Sequence, residues 1–438
     1  MSVAEVLEPL VRTALKASPR VRIECWDGST LGPSDGILVI RFARRRALRW
    51  LLWSPNELGF ARAFIAGDIE LEGDIVAAIG SLDMLGAAEG GPSVQVDTAT
   101  KAAIGRAVLR LGALGPPPRP PAEETRISRW GRHTPGHDAR AISHHYDVGN
   151  DFYALVLGAS MVYSCAYFEQ PPSSTYTLQD AQRAKLDLVA RKLSLTPGHR
   201  VLDVGCGWGS FVIHAAREYG VHAVGITLSA EQAAYARERL RAEGLQDQVQ
   251  IRVQDYREVS DGPYDAIASI GMAEHVGMAR LPQYATHLHT LLAPGGRLLN
   301  HAIARRPGPP NDPKDERRSF LYRYVFPDGE LTPLATMVDA LESADFEVRD
   351  VESLREHYAL TLRAWVANLE RDWDRAVGLA GGGRTRVWWL YMAGAALQFQ
   401  FNQIGVNQVL AVKPGPAGVS GMPLTRAEMF LTERNAPA

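Results

Sequence analysis

The chain has 438 residues, a formal net charge of −2, and the hydrophobic (46%) and charged (22%) content of an ordinary globular protein. That length suggests two or three domains with large cores, and the near-neutral charge excludes a general attraction to nucleic acid. The three cysteines form no CxxC pair, which argues against a metal site or a disulfide framework. Because acids stand where a signal peptide needs a basic region, we expect a cytoplasmic protein.

Residues 1–120 predict a smaller α+β domain, with strands at Val21–Trp26 and Gly36–Arg41. A cluster of arginines and two tryptophans follows these strands: Arg41, Arg44, Arg45, Arg46, Arg49, Trp50 and Trp53. The cluster is typical of a solvated helix face above an apolar one. It is also compatible with a surface for anionic lipid headgroups. The predicted roles of this domain are membrane interaction or dimerisation.

Residues 121–140 predict a basic linker rich in proline and arginine. It follows Gly115–Pro121, which has the stiff, extended character of polyproline. A domain boundary is expected here, and residues 141–438 then form the catalytic domain.

The segment Arg200–Gly209 predicts a ligand loop. Val201, Leu202 and Val204 read as a buried strand, and the glycines that follow allow the backbone to approach a cofactor closely. A dinucleotide fingerprint would need a further glycine at Ser210. Asp203, placed before the first glycine, is instead typical of an S-adenosylmethionine (SAM) loop, in which a carboxylate holds the cationic amino group.

Strand and helix patterns alternate on both sides of this loop, which predicts a parallel sheet with helices on both faces and the ligand at the carboxyl ends of the strands. Further strands are predicted at His222–Thr227, Val249–Val253, Asp265–Ile270, Arg297–Ile303, Phe346–Val351 and Val406–Val412. Ser229 and Gln232 match a capping box. The uncharged segment Val387–Val412 carries too many amides to span a membrane and predicts a buried helix followed by a strand.

Several ordered motifs resemble the cyclopropane-fatty-acyl-phospholipid synthase family over residues 141–413. They are His145–Asp151, Tyr163–Tyr167, Ala181–Lys185, Leu202–Gly209, Gly225–Gln232, Gln254–Tyr256, Glu274–Gly277, His301–Ile303, Tyr324–Gly329 and Tyr358–Leu362. The resemblance implies a Rossmann-like class I SAM methyltransferase with a seven-stranded, mostly parallel sheet. Ala273 departs from the family, which commonly has Phe there.

The resemblance also implies site residues. Cofactor binding would fall to Tyr163, Ser164, Asp203, Gly205, Cys206, Gly207, Trp208, Gly209, Thr227, Leu228, Gln232, Asp255 and Tyr256. A bicarbonate ion would be held by Cys165, Glu274, His301, the backbone of Ile303, and Tyr358. The implied reaction is methylation of a double bond in an acyl chain of a membrane phospholipid. It passes through a carbocation that loses a proton and closes a cyclopropane.

Alternatives remain open at this point. The same cation can lose a different proton and leave a methylene or methyl-branched chain, as in tuberculostearic acid precursors, and a mycolic-type acyl substrate is a further option. A non-catalytic lipid-binding protein on a degenerate fold is disfavoured by the presence of Asp203, Glu274, His301 and Tyr358. The expected partners are an unsaturated phospholipid, the inner membrane surface as a peripheral contact, and a second copy of the chain, with no nucleic acid.

Overall fold

The computed structural model describes residues 2–8, 21–54, 56–74, 76, 107, 109–113, 115–125, 148–308, 319–327 and 329–427. Its contacts divide the chain into two compact units. The first unit comprises residues 1–127, 311–327 and 372–397, and the second comprises residues 128–310, 328–371 and 398–438. Each unit is therefore assembled from segments that are far apart in sequence. Predicted features at residues 126–140, His145–Asp147 and Asp328 lie outside the described residues.

The strands are β1 Val21–Cys25, β2 Thr30–Leu31, β3 Leu38–Phe42, β4 Ile69–Gly73, β5 Arg200–Val204, β6 His222–Thr227, β7 Val249–Val253, β8 Tyr264–Ile270, β9 Leu292–Arg305, β10 Thr332–Pro333, β11 Glu347–Ser353 and β12 Ile404–Val412. The helices are α1 Arg46–Trp53, α2 Glu57–Ile65, α3 Asn150–Leu157, α4 Leu178–Lys192, α5 Ser210–Tyr219, α6 Ala230–Glu243, α7 Ala273–Val276, α8 Leu281–Leu291, α9 Phe320–Tyr324, α10 Leu334–Glu342, α11 Arg355–Arg371, α12 Trp373–Ala380 and α13 Gly382–Gln400.

The first unit contains a four-stranded sheet in the order β2-β1-β3-β4. Strands β1 and β3 run parallel, whereas β2 and β4 are antiparallel to their neighbours. Alternate side chains of β1 and β3 point into the core because successive residues of a strand face opposite sides. The small α+β fold predicted for this region is therefore present, with strand ends shifted by one or two residues.

Two later chain segments complete the core of this first unit. The ring of Trp389, in α13, lies 5.4 Å from that of Phe64, in α2. The backbone N–H of Phe320 donates to Glu57 Oε1 at 2.8 Å. The helix α2 therefore has neighbours both within 319–327 and within 372–397.

Two of the five arginines in the cluster, Arg41 and Arg46, form ion pairs within this unit. Arg41 reaches Glu24, Glu70 and Glu72 at 3.0–3.4 Å. Arg46 pairs with Asp68, a fully buried carboxylate. The indole of Trp50 also donates to Asp68 at 2.9 Å and is buried, whereas Trp53 is 58% exposed. These contacts favour the structural interpretation of Arg41, Arg46 and Trp50, and a lipid-facing role stays a prediction for the others.

An ion pair in the first unit provides a test of which chain segments belong to this unit. The Arg62 guanidinium donates to both oxygens of Glu124 at 2.6 and 2.7 Å, and the Tyr324 hydroxyl donates to Glu124 at 3.0 Å. Glu124→Ala leaves a buried cation and a buried hydroxyl without their acceptor, so we expect a loss of about 3 kcal/mol of local stability. Faster hydrogen–deuterium exchange in peptides 57–65 and 319–327 would report it.

The matched control is Glu72→Ala, which removes an exposed partner of Arg41 and should cost less than about 1 kcal/mol. Equal protection in the Glu124 variant and the parent would contradict the assignment of 319–327 to this unit.

The second unit is built on a sheet in the order β11-β12-β9-β8-β5-β6-β7, with β10 added beside β9. Strands β5, β6, β7, β8 and β9 run parallel, and β12 is antiparallel to both β9 and β11. This confirms the predicted seven-stranded, mostly parallel sheet and adds one short strand. After β5 the chain adds β6 on one side of it and later adds β8 on the other side. The strand order therefore reverses at β5, and sheets of this kind bind their ligands at such a point.

The uncharged segment near residue 400 forms α13 and then β12. The strand starts at Ile404, two residues earlier than predicted, directly after a turn in which Asn402 has a φ of 57°. No helix among the residues with described structure combines the length and apolar character needed to cross a bilayer.

Candidate active site

A cleft enclosing about 760 Å³, part of it open to solvent, lies at the carboxyl ends of β5, β6, β7 and β8. Seven of the predicted cofactor residues line it: Gly205, Gly207, Thr227, Leu228, Gln232, Asp255 and Tyr256. Further lining comes from Gln254, Met272 and His275. The other predicted cofactor residues, Tyr163, Ser164, Asp203, Cys206, Trp208 and Gly209, do not line this cleft.

The glycine loop at one wall of the cleft needs its glycines for their backbone conformation. Gly205, Gly207 and Gly209 have φ values of 85°, 52° and 81°, which residues with a Cβ atom rarely adopt. The N–H groups of Gly205 and Cys206 donate to the Ile226 carbonyl at 3.0 and 2.9 Å. These bonds hold the loop against the end of β6, with its glycine backbone exposed to the cleft.

Asp203 lies inside β5, immediately before the loop, and is 2% exposed. Burial raises the pKa of its carboxyl to about 7, although the positive charge of Lys185 opposes the shift. A carboxyl held near its titration point is sensitive to a cationic ligand, because a nearby positive charge favours its ionised form.

The second wall of the cleft begins α6. Ser229 caps the helix by accepting the N–H of Gln232 at 3.2 Å. The predicted reciprocal half of the capping box is wrong, because the Gln232 amide oxygen accepts the Thr227 hydroxyl at 2.8 Å instead. Thr227 in turn accepts the N–H of Ser229 at 3.2 Å. These bonds fix the Thr227 and Gln232 side chains at the cleft surface.

The third wall follows β7. Burial would raise the pKa of Asp255, but hydrogen bonds from Arg257 hold it below its usual range. The Arg257 side chain contacts both carboxylate oxygens at 2.6–2.8 Å. Tyr256 packs edge-on against Tyr284 with ring centroids 5.5 Å apart. An ionised acid and an aromatic face therefore stand side by side.

Glu274, which is half-buried, and His301, which is buried, each have an inaccessible polar atom without a hydrogen-bond partner among the described residues. Glu274 Oε1 accepts the backbone N–H of Ile303 at 2.8 Å, but Oε2 has no partner in the described structure. Burial raises the pKa of Glu274 to about 7. Of the two His301 ring nitrogens, Nδ1 lies 3.3 Å from Gln408 Nε2, and Nε2 has no hydrogen bond to any described residue.

The tautomer of His301 follows from its neighbour. An amide nitrogen can only donate, so Nδ1 must accept and the ring proton sits on Nε2. Burial, together with the charges of Lys185 and Lys192, lowers the pKa of His301 to about 3. His301 is therefore a neutral donor through Nε2, and within the described residues neither this donor nor Glu274 Oε2 has a hydrogen-bond partner.

The carbonyl of Leu354 accepts both the Cys165 thiol and the backbone N–H of Tyr358. The Cys165 Sγ lies 3.6 Å from that oxygen, and the Tyr358 N–H donates to it at 3.1 Å. Burial raises the pKa of the Cys165 thiol, which stays protonated at neutral pH. The charge of Lys185 acts on both Cys165 and His301. The structure therefore groups the predicted residues into a Glu274–Ile303–His301 set and a Cys165–Tyr358 set.

An aromatic series includes three of the predicted residues. Each ring centroid lies 4.6–6.1 Å from the next. In order, the members are Trp208, Tyr153, Tyr163, Trp365, Tyr358 and Phe399. The Trp208 indole also donates to Asn150 at 2.8 Å. Trp208 and Tyr163 thus form aromatic packing near the loop rather than part of the cleft wall.

Two buried polar residues near the site, Lys185 and Gln408, are not among the predicted site residues. Lys185 is 1% exposed and Gln408 is fully buried. Lys185 stands seven residues before Lys192, so both lie on one face of α4. That spacing was visible in the sequence, whereas the position of Gln408 opposite His301 depends on the pairing of β12 with β9.

Comparison with known proteins decides the family. The profile of the mycolic acid cyclopropane synthetase family matches residues 133–409, more than half of the chain. The chain belongs to this family. A protein named probable fatty acid methyltransferase from Mycobacterium tuberculosis is 40% identical to this family member over 97% of both chains. A tuberculostearic acid methyltransferase of the same organism is 32% identical, over 94% of this chain and 92% of its own.

A solved structure agrees with the fold of this cyclopropane synthetase family member. The mycolic acid cyclopropane synthase CmaA1, complexed with SAH and CTAB, aligns with a TM-score of 0.57 and 33% identity. The alignment covers 62% of this chain and 97% of CmaA1. The predicted class I SAM methyltransferase fold is confirmed.

Proposed function

We propose that this protein transfers the methyl group of SAM to the double bond of an unsaturated fatty acyl chain and closes a cyclopropane ring. The observation that carries the proposal is the buried pair of unsatisfied atoms, Glu274 Oε2 and His301 Nε2. The two residues are connected through β9, because Ile303, whose N–H donates to Glu274, stands two residues after His301. Methyl transfer to an alkene leaves a cation that must lose a proton, and polar groups of this kind can hold the base that takes it up.

SAM fits the cleft described above. The glycine loop, Gln232 and the Asp255–Tyr256 pair line the cleft and offer a close backbone and polar groups for an adenosine. Asp203, buried in β5 two residues before Gly205, is the carboxylate that we assign to the ammonium group. SAM would supply an electrophilic methyl group on a sulfonium. In this interpretation, Tyr163, Ser164 and Trp208 contribute to the edge of the site.

A bicarbonate ion matches the polar atoms of Glu274 and His301. His301 would donate to it through Nε2 and Glu274 Oε2 would accept, whereas the thiol of Cys165 already points at backbone carbonyls. A bicarbonate ion would supply the base that takes up the proton. The Ile303 N–H already donates to Glu274, so its part in our proposal is to orient Glu274, which differs from the direct contact that the resemblance implied.

The aromatic series supports the cationic step. Tyr358, Trp365 and Phe399 are each 7% exposed or less, so their faces are desolvated, and an aromatic face then stabilises a cation by about 2 kcal/mol. The same burial keeps water from quenching the cation.

A second product has independent support. The tuberculostearic acid methyltransferase matches nearly the whole chain, whereas CmaA1 matches 62% of it. Loss of a different proton from the same cation would give a methylene or methyl-branched chain. We also propose a phospholipid as the carrier of the acyl chain, peripheral contact with the inner membrane surface, and self-association of the chain.

The test is incubation of the protein with SAM and dioleoyl phospholipid vesicles, followed by analysis of the acyl chains. Both products gain one CH₂, so mass spectrometry detects the reaction and proton NMR separates ring protons from exocyclic vinylic ones. We expect ring protons, and a loss of product in buffer stripped of bicarbonate. Vinylic protons would select the second product, and no product with any unsaturated lipid would refute the proposal.

A further inference from the structure

The helix α4 buries two lysines that have very different surroundings. Lys192 is fully buried and its ammonium contacts Glu352 at 2.5 Å and Asp350 at 3.3 Å. Lys185 is 1% exposed, and within the described part of the chain its ammonium has a single hydrogen bond, to Ser164 Oγ at 3.0 Å. A buried ammonium with one neutral partner is costly, so a structural role alone does not account for Lys185.

The hydrogen bond fixes the polarity of Ser164. An ammonium group has only donors, so Ser164 Oγ must accept and its own hydrogen must point elsewhere. The Ser164 carbonyl is held as well, because Gln182 Nε2 donates to it at 2.9 Å. Gln182 and Lys185 are three residues apart on α4, so one helix face sets both the backbone and the hydroxyl of Ser164. Ser164 is thereby preset as a hydrogen-bond donor.

The charges around Lys185 match an amino acid zwitterion. Asp203 is the buried carboxylate that lowers the cost of the Lys185 charge, and Cys165 is the other group that acts on it. A buried anion and a buried cation with a preset donor are complementary to an α-ammonium and an α-carboxylate of one ligand. The methionine end of SAM carries both groups.

We propose that Lys185 is a positioning residue for the cofactor's carboxylate, acting through Ser164 and by its charge. This inference rests on the proposed SAM site. It adds a residue that orients Ser164 toward the amino acid end of the cofactor, separate from the ammonium contact assigned to Asp203.

The test compares two ligands by calorimetry: S-adenosylhomocysteine and 5′-methylthioadenosine, which shares the thioether and adenosine but lacks the amino acid. Lys185→Met should weaken S-adenosylhomocysteine ten- to a hundredfold, the usual range for a hydrogen bond to a charged group. The affinity for 5′-methylthioadenosine should stay within about twofold. Ser164→Ala should show the same selectivity, and the double variant should lose less than the product of the two single losses.

Lys192→Met is the matched control on the same helix and should bind both ligands as the parent does. Lys185→Gln keeps an N–H donor without the charge, and it replaces the Met variant if that one melts below the assay temperature. Equal losses for both ligands, or no loss for S-adenosylhomocysteine, would overturn the role of Lys185. If the parent protein binds neither ligand, the SAM site itself is wrong, which is a different result.

Discussion

Glu274→Gln is expected to lower kcat by at least a hundredfold while the affinity for S-adenosylhomocysteine stays within about twofold. The substitution keeps the shape of the side chain but removes the charge, and an amide whose nitrogen takes the place of Oε2 turns an acceptor into a donor. Proton transfer by positioned groups is commonly worth 10²–10⁴ in rate. Since Glu274 is not among the residues that line the cofactor cleft, binding should be spared.

Single-turnover formation of methylated lipid, together with calorimetry, measures the two quantities separately. The control is Glu238→Gln, an exposed carboxylate on α6, which should behave like the parent. A Glu274 variant that forms methylated lipid at the parent rate would show that Glu274 has no part in the proton transfer. A variant that loses cofactor affinity in parallel with its rate would move Glu274 into the cofactor site.

The second large effect is expected at Asp203. Asp203→Asn should weaken S-adenosylhomocysteine ten- to a hundredfold, because a buried hydrogen bond to the ligand's ammonium loses its charge. The pH dependence should change with it. In the parent, affinity should fall as the pH drops through about 7, where Asp203 takes up a proton, and the Asn variant should lose that dependence.

The same pKa predicts how the stability of the ligand-free protein depends on pH. The folded pKa of Asp203 lies above its ordinary value of 3.8, so the native state binds more protons than the unfolded state between those values. Its contribution to stability is full below pH 3.8 and is lost as the pH rises through about 7. Thermal melting from pH 5 to 8 should therefore show a smaller decline for Asp203→Asn than for the parent.

Asp255→Asn provides the contrast, because hydrogen bonds from Arg257 keep the pKa of Asp255 low. Its variant should lose affinity but retain the midpoint near pH 7. A parent whose affinity is flat across this range would contradict the assignment of the pH dependence to Asp203.

The sheet of the second unit was predictable because its signals are local. Short apolar runs, glycines that need positive φ and helical spacing all lie within ten residues of one another, as at Val201–Gly209. The seven predicted strands and the loop residues that line the cleft follow from such patterns. The eighth strand, at Thr332–Pro333, is too short to leave a pattern.

Features that depend on long-range pairing were not predictable. Gln408 sets the tautomer of His301 because β12 pairs with β9 in a register that aligns these two residues. Arg46 and Trp50 both donate to the buried Asp68, which lies 22 and 18 residues away from them in the sequence. Nothing in the local sequence distinguishes such an arginine from a solvated one.

The first unit joins segments that are far apart in the sequence, and this has a consequence for its synthesis on the ribosome. Its sheet and α2 belong to the first 127 residues, but Trp389, which packs on Phe64, belongs to residues 372–397. At roughly 5–20 residues per second, the later segment emerges on the order of tens of seconds after the first. Part of the apolar surface of the nascent amino-terminal segment therefore stays exposed until residues 372–397 have been synthesised. We expect chaperones to bind the growing chain during this interval.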